Sequence, residues 1–329
     1  MQLWQGDNDF RFYTGVHNTS WLHTRCVDRA IPLFVSRNRM PLGGKSRTKF
    51  KRATTIWALD SGAFTELQRY GTWKMSAEEY AGLVNIYDKN IGMLQWASPQ
   101  DWMCEPQVLS GLVRKKRKNE RLLIDAWKWR QWAESLLPDQ FRIIESTYNQ
   151  LLEIGLEDAC IVFHGTGLTL QEHQIRTVEN FVRLRSICKV KLIPVIQGYT
   201  KQEYFNCIRM YLDAGVDLRK EETVGIGSVC RREATTEIAD LITSICQYGI
   251  SLHAFGVKTG GLKMCIDQLA SADSMAWSLH AKHHYTTRKG TCCGKLKTRG
   301  KEKGKPIKNC ANCYHAAVEY HDRIMGIAT

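Results

Sequence analysis

The chain has 329 residues, 43% hydrophobic and 24% charged, a globular composition with length for one large domain or two average ones. Its 46 Lys and Arg against 33 Asp and Glu leave a net charge of +13, which favours a polyanionic partner. Twelve cysteines, no basic-then-apolar leader at the start and no long apolar run argue against a disulfide framework and a membrane span, so a cytoplasmic protein with reduced thiols is expected.

Short, nearly continuous apolar runs alternate with amphipathic stretches. The first strands are predicted at 10–16, 31–36, 56–61 and 93–97, each apolar enough to be buried on both faces. The loop joining the second and third, 37–52, is basic and carries Pro41, Gly43 and Gly44, so it does not read as a helix. Ser76 is a candidate N-cap for a helix that places Tyr80, Leu83, Val84 and Tyr87 on one face. From about 107 to 167 an insertion breaks the rhythm. It opens with Arg114, Lys115, Lys116, Arg117 and Lys118 and continues into a helical stretch holding Trp127, Trp129 and Trp132. Cations beside aromatic rings suit nucleic acid; a helix packing its Trp face is the better account of the tryptophans, and a solvated start accounts equally well for the basic run.

Four more strands are predicted at 192–197, 223–229, 251–257 and 272–277, with 160–164 as a competing ninth. Helices at 200–214 and 232–248 are stopped by Gly215 and Gly249. Eight strands with helical connections predict an α/β fold, a (β/α)8 TIM barrel over 1–280 with the inserted basic helical segment. The remainder, 281–329, is expected to be a zinc-binding subdomain. There Cys310-Ala-Asn-Cys313 has metal-ligand spacing, Cys292 and Cys293 supply further thiolates, and His315 and His321 remain alternatives for the last position. A structural Zn2+ would fix a loop too polar to bury a core. The other cysteines are expected as small apolar core groups. No histidine has a catalytic motif, and no phosphate-binding glycine fingerprint is present.

Chemistry in a barrel of this kind sits at the C-terminal ends of its strands. Polar residues collect there: Asp60 and Ser61 after the third strand, Asp101 after the fourth, Gln197 and Gly198 after the fifth, Gly225 to Ser228 on the sixth, and Asp273, placed at the start of the eighth. Any one of these aspartates fits a helix cap or a turn; several on separate strands, with a glutamine, point to an active site.

The stretches ALDSGAF (58–64), SPQDWMCEP (98–106), PVIQG (194–198), VGIGSVCRR (224–232), HAFGVK (253–258) and ADSMAW (272–277) carry a resemblance. In order and combination the chain resembles the tRNA-guanine transglycosylase superfamily, and within it the DpdA-like DNA 7-deazaguanine transglycosylases of phages and bacteria. The resemblance covers nearly the whole chain outside the insertion. It implies a base-exchange glycosyltransferase that replaces guanine in DNA with a free 7-deazaguanine through a covalent Asp–sugar intermediate. Asp273 would be the nucleophile, Asp60 a second carboxylate at the base, Asp101 and Gln197 the readers of the guanine edge. Gly227 and its neighbours would face the 7-position, with Ser61 and Gly198 beside the base. The incoming 7-deaza base lacks the N7 at which guanine can be protonated to leave, so the product is expected to resist reversal.

Two departures from the superfamily stand out. Arg231 and Arg232 occupy positions where the tRNA enzymes carry Gly and Glu, which points to a neutral 7-cyano base over a cationic aminomethyl one, unless these arginines face phosphate. The superfamily zinc motif, C-x-C-x-x-C plus His, also differs in spacing here. DNA is the expected partner, contacted by 114–118 and by Arg231 and Arg232. The same exchange on tRNA and an inactive nucleic-acid-binding barrel remain alternatives, and a homodimer and an accessory protein are left open.

Overall fold

The computed structural model describes residues 10–23, 30–41, 50–105, 108–109, 112–114, 159–161, 165–229, 236–257, 259–284 and 311–328. They fall into two compact units. The first comprises 1–59, 86–96 and 229–329, the second 60–85 and 97–228.

In the first unit the strands β1 (Arg11–Val16), β2 (Leu33–Ser36), β3 (Trp57–Asp60), β4 (Leu94–Ala97), β9 (Leu252–Ala254) and β10 (Leu269–Ser274) lie in the order β4-β3-β2-β1-β10-β9. β1 is the pivot, pairing in parallel with β2 on one side and β10 on the other, Tyr13 opposite Asp273. Leu33, Val35, Trp57, Ala58 and Leu59 are fully enclosed, as continuous apolar strands covered on both faces should be. Trp277, on α7 (Ala276–His284), donates its indole N–H to Gly15 O at 2.7 Å and closes that helix on β1. The last helix, α8 (Tyr314–Ala328), lays Tyr320 and His321 on Phe12 and Tyr314 on Trp21, with ring centroids 4.9–6.1 Å apart.

The second unit holds the parallel pair β7 (Val195–Ile196) and β8 (Val224–Ile226), with Ala97 bridged in parallel to Leu192. Its helices α3 (Leu170–Ile187) and α4 (Lys201–Asp213) open with reciprocal capping boxes, Thr169 with Glu172 and Thr200 with Glu203. Ser76 and Glu79 exchange the same two bonds at the start of α2 (Ala77–Ile91). Gly215 and Gly249 take positive φ, 80° and 90°, where the helices before them end.

Among the described residues, β1 and β2 are followed by short 3-10 turns, β3, β7, β8, β9 and β10 by helical segments, and β4 by the insertion and then α3, so the fold is α/β on parallel strands. Two readings change. The strand predicted at 272–277 lies at 269–274, so Asp273 is its next-to-last residue and Trp277 belongs to the following helix. The candidate ninth strand is β6 (Ala159–Ile161), which pairs antiparallel with β5 (Leu112–Arg114) and not with the parallel set. The insertion closes at its neck: Thr166 N donates to Val108 O and Leu109 O at 3.2 and 3.1 Å. The Trp-rich stretch and 115–118 lie outside the described residues.

Candidate functional site

Each unit carries a buried polar cluster at the C-terminal ends of its strands. In the second unit the cluster is built on Asp101, in the loop after β4. Its Oδ2 accepts from Gln197 Nε2 at 2.6 Å and its Oδ1 from the Ser61 hydroxyl at 3.3 Å. Ser61 is held in turn by its N–H on Ser98 Oγ, and Tyr80 pins the Ser98 carbonyl. Gln197 follows β7, where Gln174 of α3 holds its carbonyl at 2.7 Å. The far side of its amide meets Ser228: the hydroxyl donates to Gln197 Oε1 at 2.6 Å, with Glu105 Oε2 2.9 Å away, and accepts the Cys104 N–H. That donor on Oε1 turns the amide NH2 toward Asp101.

Ser228 reaches this position with φ of 57°, a left-handed backbone that costs a non-glycine residue about 1–2 kcal/mol. Gly227 beside it has no room for a side chain, since a Cβ would come within 2.6 Å of Gln197 Cδ. Gly198 lies against the first turn of α4, where a Cβ would meet Tyr204 N at 2.8 Å, so its smallness serves a close backbone approach. Burial is the main cause that pushes the Asp101 carboxyl up to about 7; the charge of Asp60, half-buried at the end of β3, adds to it, and the bonds from Gln197 and Ser61 oppose it. A buried carboxylate beside an oriented amide NH2 presents an acceptor and a donor side by side, the complement of a guanine edge.

In the first unit the cluster is built on Asp273, 5% exposed near the end of β10. Its Oδ1 accepts the Gly256 N–H at 3.0 Å. His253 on β9 is fully buried, with Nε2 3.4 Å from the same oxygen and Nδ1 2.8 Å from the Ser271 hydroxyl. Trp96, Phe255, Phe34 and Tyr13 surround its ring, with centroids 4.7–6.0 Å away. A carboxylate in such surroundings is costly to bury unless it has work to do.

The structure thus brings Ser61, Asp101, Gln197 and Gly227 together, with Asp60 near enough to act on Asp101 by charge. The sequence marked Ser228 only as one of the polar residues on the sixth strand and as a neighbour of Gly227, and gave Glu105, His253 and Ser271 no role. The histidine's only signal was a polar residue inside an apolar strand. His173 is structural: its Nδ1–H donates to Met103 O at 2.6 Å, its Nε2 faces Thr166 Oγ1 at 2.7 Å, and burial lowers its pKa to about 4.

Of the basic candidates, Arg114 is described in backbone only, and Arg231 and Arg232 lie outside the described residues. At the described ends of the 37–52 loop Arg37 is buried and Arg52 donates to Lys89 O at 2.9 Å, while Arg39 and Lys51 are exposed.

Cys292, Cys293 and Cys310 also lie outside the described residues, and among the described residues no three candidate ligands converge. Cys313 is half-buried at the foot of α8, its carbonyl capping Ala317 N–H at 3.2 Å, a fixed place from which a thiolate can hold a metal. His321 is buried farther along that helix and packs on Phe12, and His315 is exposed in its first turn. No helix among the described residues is long and apolar enough to cross a membrane.

A profile of the DpdA family, described as DeoxyPurine in DNA protein A, matches residues 8–135 and 157–328. No curated protein matches the chain at a significant level.

Proposed function

The chain belongs to the DpdA family, whose role is purine modification in DNA, and from that footing we propose that it exchanges guanine in DNA for 7-cyano-7-deazaguanine. One observation carries the reading: Ser228 orients the Gln197 amide so that its NH2 lies beside the Asp101 carboxylate. Gln197 then donates to guanine O6 while Asp101 accepts from N1–H and the amino group.

Retaining exchange at C1′ needs two displacements. Asp273 attacks first through an oxocarbenium-like state, the C1′–N9 electron pair leaving with the base. Asp60 protonates the departing guanine, and takes a proton back from N9 of the incoming base as that base bonds to C1′ and the carboxylate departs. The reading requires Asp273 and the Asp101 set to serve the same nucleotide. It takes the eight strands as a closed (β/α)8 barrel and the net positive charge, with 114–118 and Arg231–Arg232, as the phosphate contact. The cysteines at 292, 293, 310 and 313 are its zinc ligands, where the metal would cross-link the chain and take no part in the exchange.

The test is release of labelled guanine from DNA and from tRNA, with 7-cyano-7-deazaguanine as acceptor. Release from DNA alone is expected, and Asp273→Ala should lower it by about a thousandfold or more while DNA binding stays within a few fold. Release from tRNA alone, or turnover surviving in D273A, overturns the reading.

A further inference from the structure

We propose that His253 is a positioning residue for the Asp273 carboxylate, one that selects its attacking oxygen and stabilises it as a leaving group. The inference rests on the exchange chemistry given above. Its geometric basis lies entirely within the first unit, where β9 and β10 pair with His253 opposite Ser271.

The ring's hydrogen is fixed by its neighbours. Nε2 faces a carboxylate oxygen at 3.4 Å, so a bare nitrogen lone pair there would oppose a negative oxygen. With Nε2–H, Nδ1 of the neutral ring accepts from the Ser271 hydroxyl at 2.8 Å; an imidazolium would donate there instead. Either way Nε2 carries a hydrogen toward Asp273 Oδ1. That contact does not meet hydrogen-bond geometry in the free protein, and Nε2 has no other hydrogen-bond partner although it is buried. Contacts of this kind are commonly loose before substrate binds and tighten afterwards. The rings of Trp96, Phe255, Phe34 and Tyr13 leave the imidazole little freedom and keep it from water.

Gly256 N–H already holds Oδ1 at 3.0 Å. With two donors on Oδ1, Oδ2 is the oxygen left to bond to C1′. In the first displacement the C1′–N9 pair passes to the departing guanine, which takes up a proton, and Oδ2–C1′ forms; Oδ1 becomes the ester carbonyl and loses charge. In the second, the incoming base gives up its N9 proton, its electron pair bonds to C1′, and the Oδ2–C1′ pair returns to the carboxylate. The donors on Oδ1 favour the charged form, strongly so where water is excluded. They therefore speed the second displacement and shift the balance away from the covalent adduct.

The experiment compares wild type, H253F and H253Q on guanine-containing DNA, reading kcat, KM and the fraction of enzyme in denaturant-stable DNA adduct at fixed free guanine. His253→Phe keeps a ring in the aromatic surround and removes the N–H. A fall in kcat of about 10- to 100-fold, the weight of one hydrogen bond to a charged group, is expected, with KM for DNA little changed and the adduct fraction raised. His253→Gln puts an N–H near the place of Nε2 and should restore most of the rate. Wild-type turnover in H253F, an unchanged adduct fraction, or H253Q as slow as H253F overturns the inference. If melting shows H253F unfolded, Ser271→Ala decides: it keeps the imidazole but removes the bond on Nδ1 that holds the ring toward Asp273, and should slow turnover and raise the adduct, while wild-type behaviour sinks the idea. D273A run alongside separates the two layers, since turnover surviving there is a failure of the exchange reading, and a dead D273A beside a normal H253F is a failure of this inference alone.

Discussion

Asp101, as the proposed reader of the guanine edge, would set both recognition and its pH range. Enclosure raises its pKa to about 7, with the Asp60 charge adding to the effect. Below that value the group carries a proton and cannot accept fully from guanine N1–H and the amino group; above it the carboxylate can. The KM for DNA is therefore expected to fall as pH rises from 5.5 through 7 and to level off by 8.5. Asp101→Asn should show a KM that is higher throughout and independent of pH in that window. A flat wild-type KM across the range would falsify the assignment. Stability runs the opposite way: the folded chain binds this proton more tightly than the unfolded one, so the contribution is full below about 4 and is lost as pH rises through about 7. Asp101, Gln197 and Ser61 were legible in the sequence because polar residues ending apolar strands are conspicuous. Ser228 was conspicuous for the same reason, but its task was not legible, since it depends on partners 123 and 31 residues away along the chain; Glu105 and His253 were not legible, the histidine because its place depends on cross-strand pairing.

At the scale of elements, strands rich in branched and aromatic residues declared themselves, and β10 did not. Its sequence, LASADS, is mostly small and polar, while the Met-Ala-Trp that follows looks more strand-like yet opens a helix. Small residues give little local β preference, so only pairing with β1 and β9 fixes that register. The junction after β7 and β8 carries a sharper consequence. Gly227 is held on both sides, its N–H on Ile196 O at 3.0 Å and its carbonyl accepting from Tyr204 at 2.7 Å, so its backbone cannot retreat from an added methyl group. A Gly227→Ala side chain must push out the Gln197 amide, which breaks the bonds to Asp101 and Ser228 while the strands keep their ladder. The expected result is a fall in kcat/KM of about 10- to 100-fold with the melting temperature within a few degrees of wild type. Unchanged exchange by G227A would mean that the amide is not the reader.

The molecule as a whole is basic, and its strand-then-helix rhythm was readable from apolar periodicity alone; what periodicity could not supply was the antiparallel pair at the neck of the insertion, a local excursion without a period of its own. The same limit applies to the chain's end. α8 packs its apolar face on β1 through Tyr320 and His321, while its first turn begins immediately after Cys313. A zinc ion held by Cys313 with Cys310, Cys292 and Cys293 would tie the glycine- and lysine-rich stretch before α8 to a helix that already belongs to the first unit. Metal binding of this kind adds directly to folding stability, because the unfolded chain has no assembled site. One zinc per chain is therefore expected by elemental analysis of the purified protein. Stripping it with a chelator at neutral pH should lower the melting temperature by at least about 5 °C, and Cys310→Ala should do the same without chelator. On the structural role proposed for the metal, guanine release measured well below the lowered melting temperature should remain within a few fold of the loaded protein. A metal-free preparation melting like the loaded one would remove zinc from the account of the fold, and a complete loss of exchange in a stripped but folded sample would move it from a structural role into the active site.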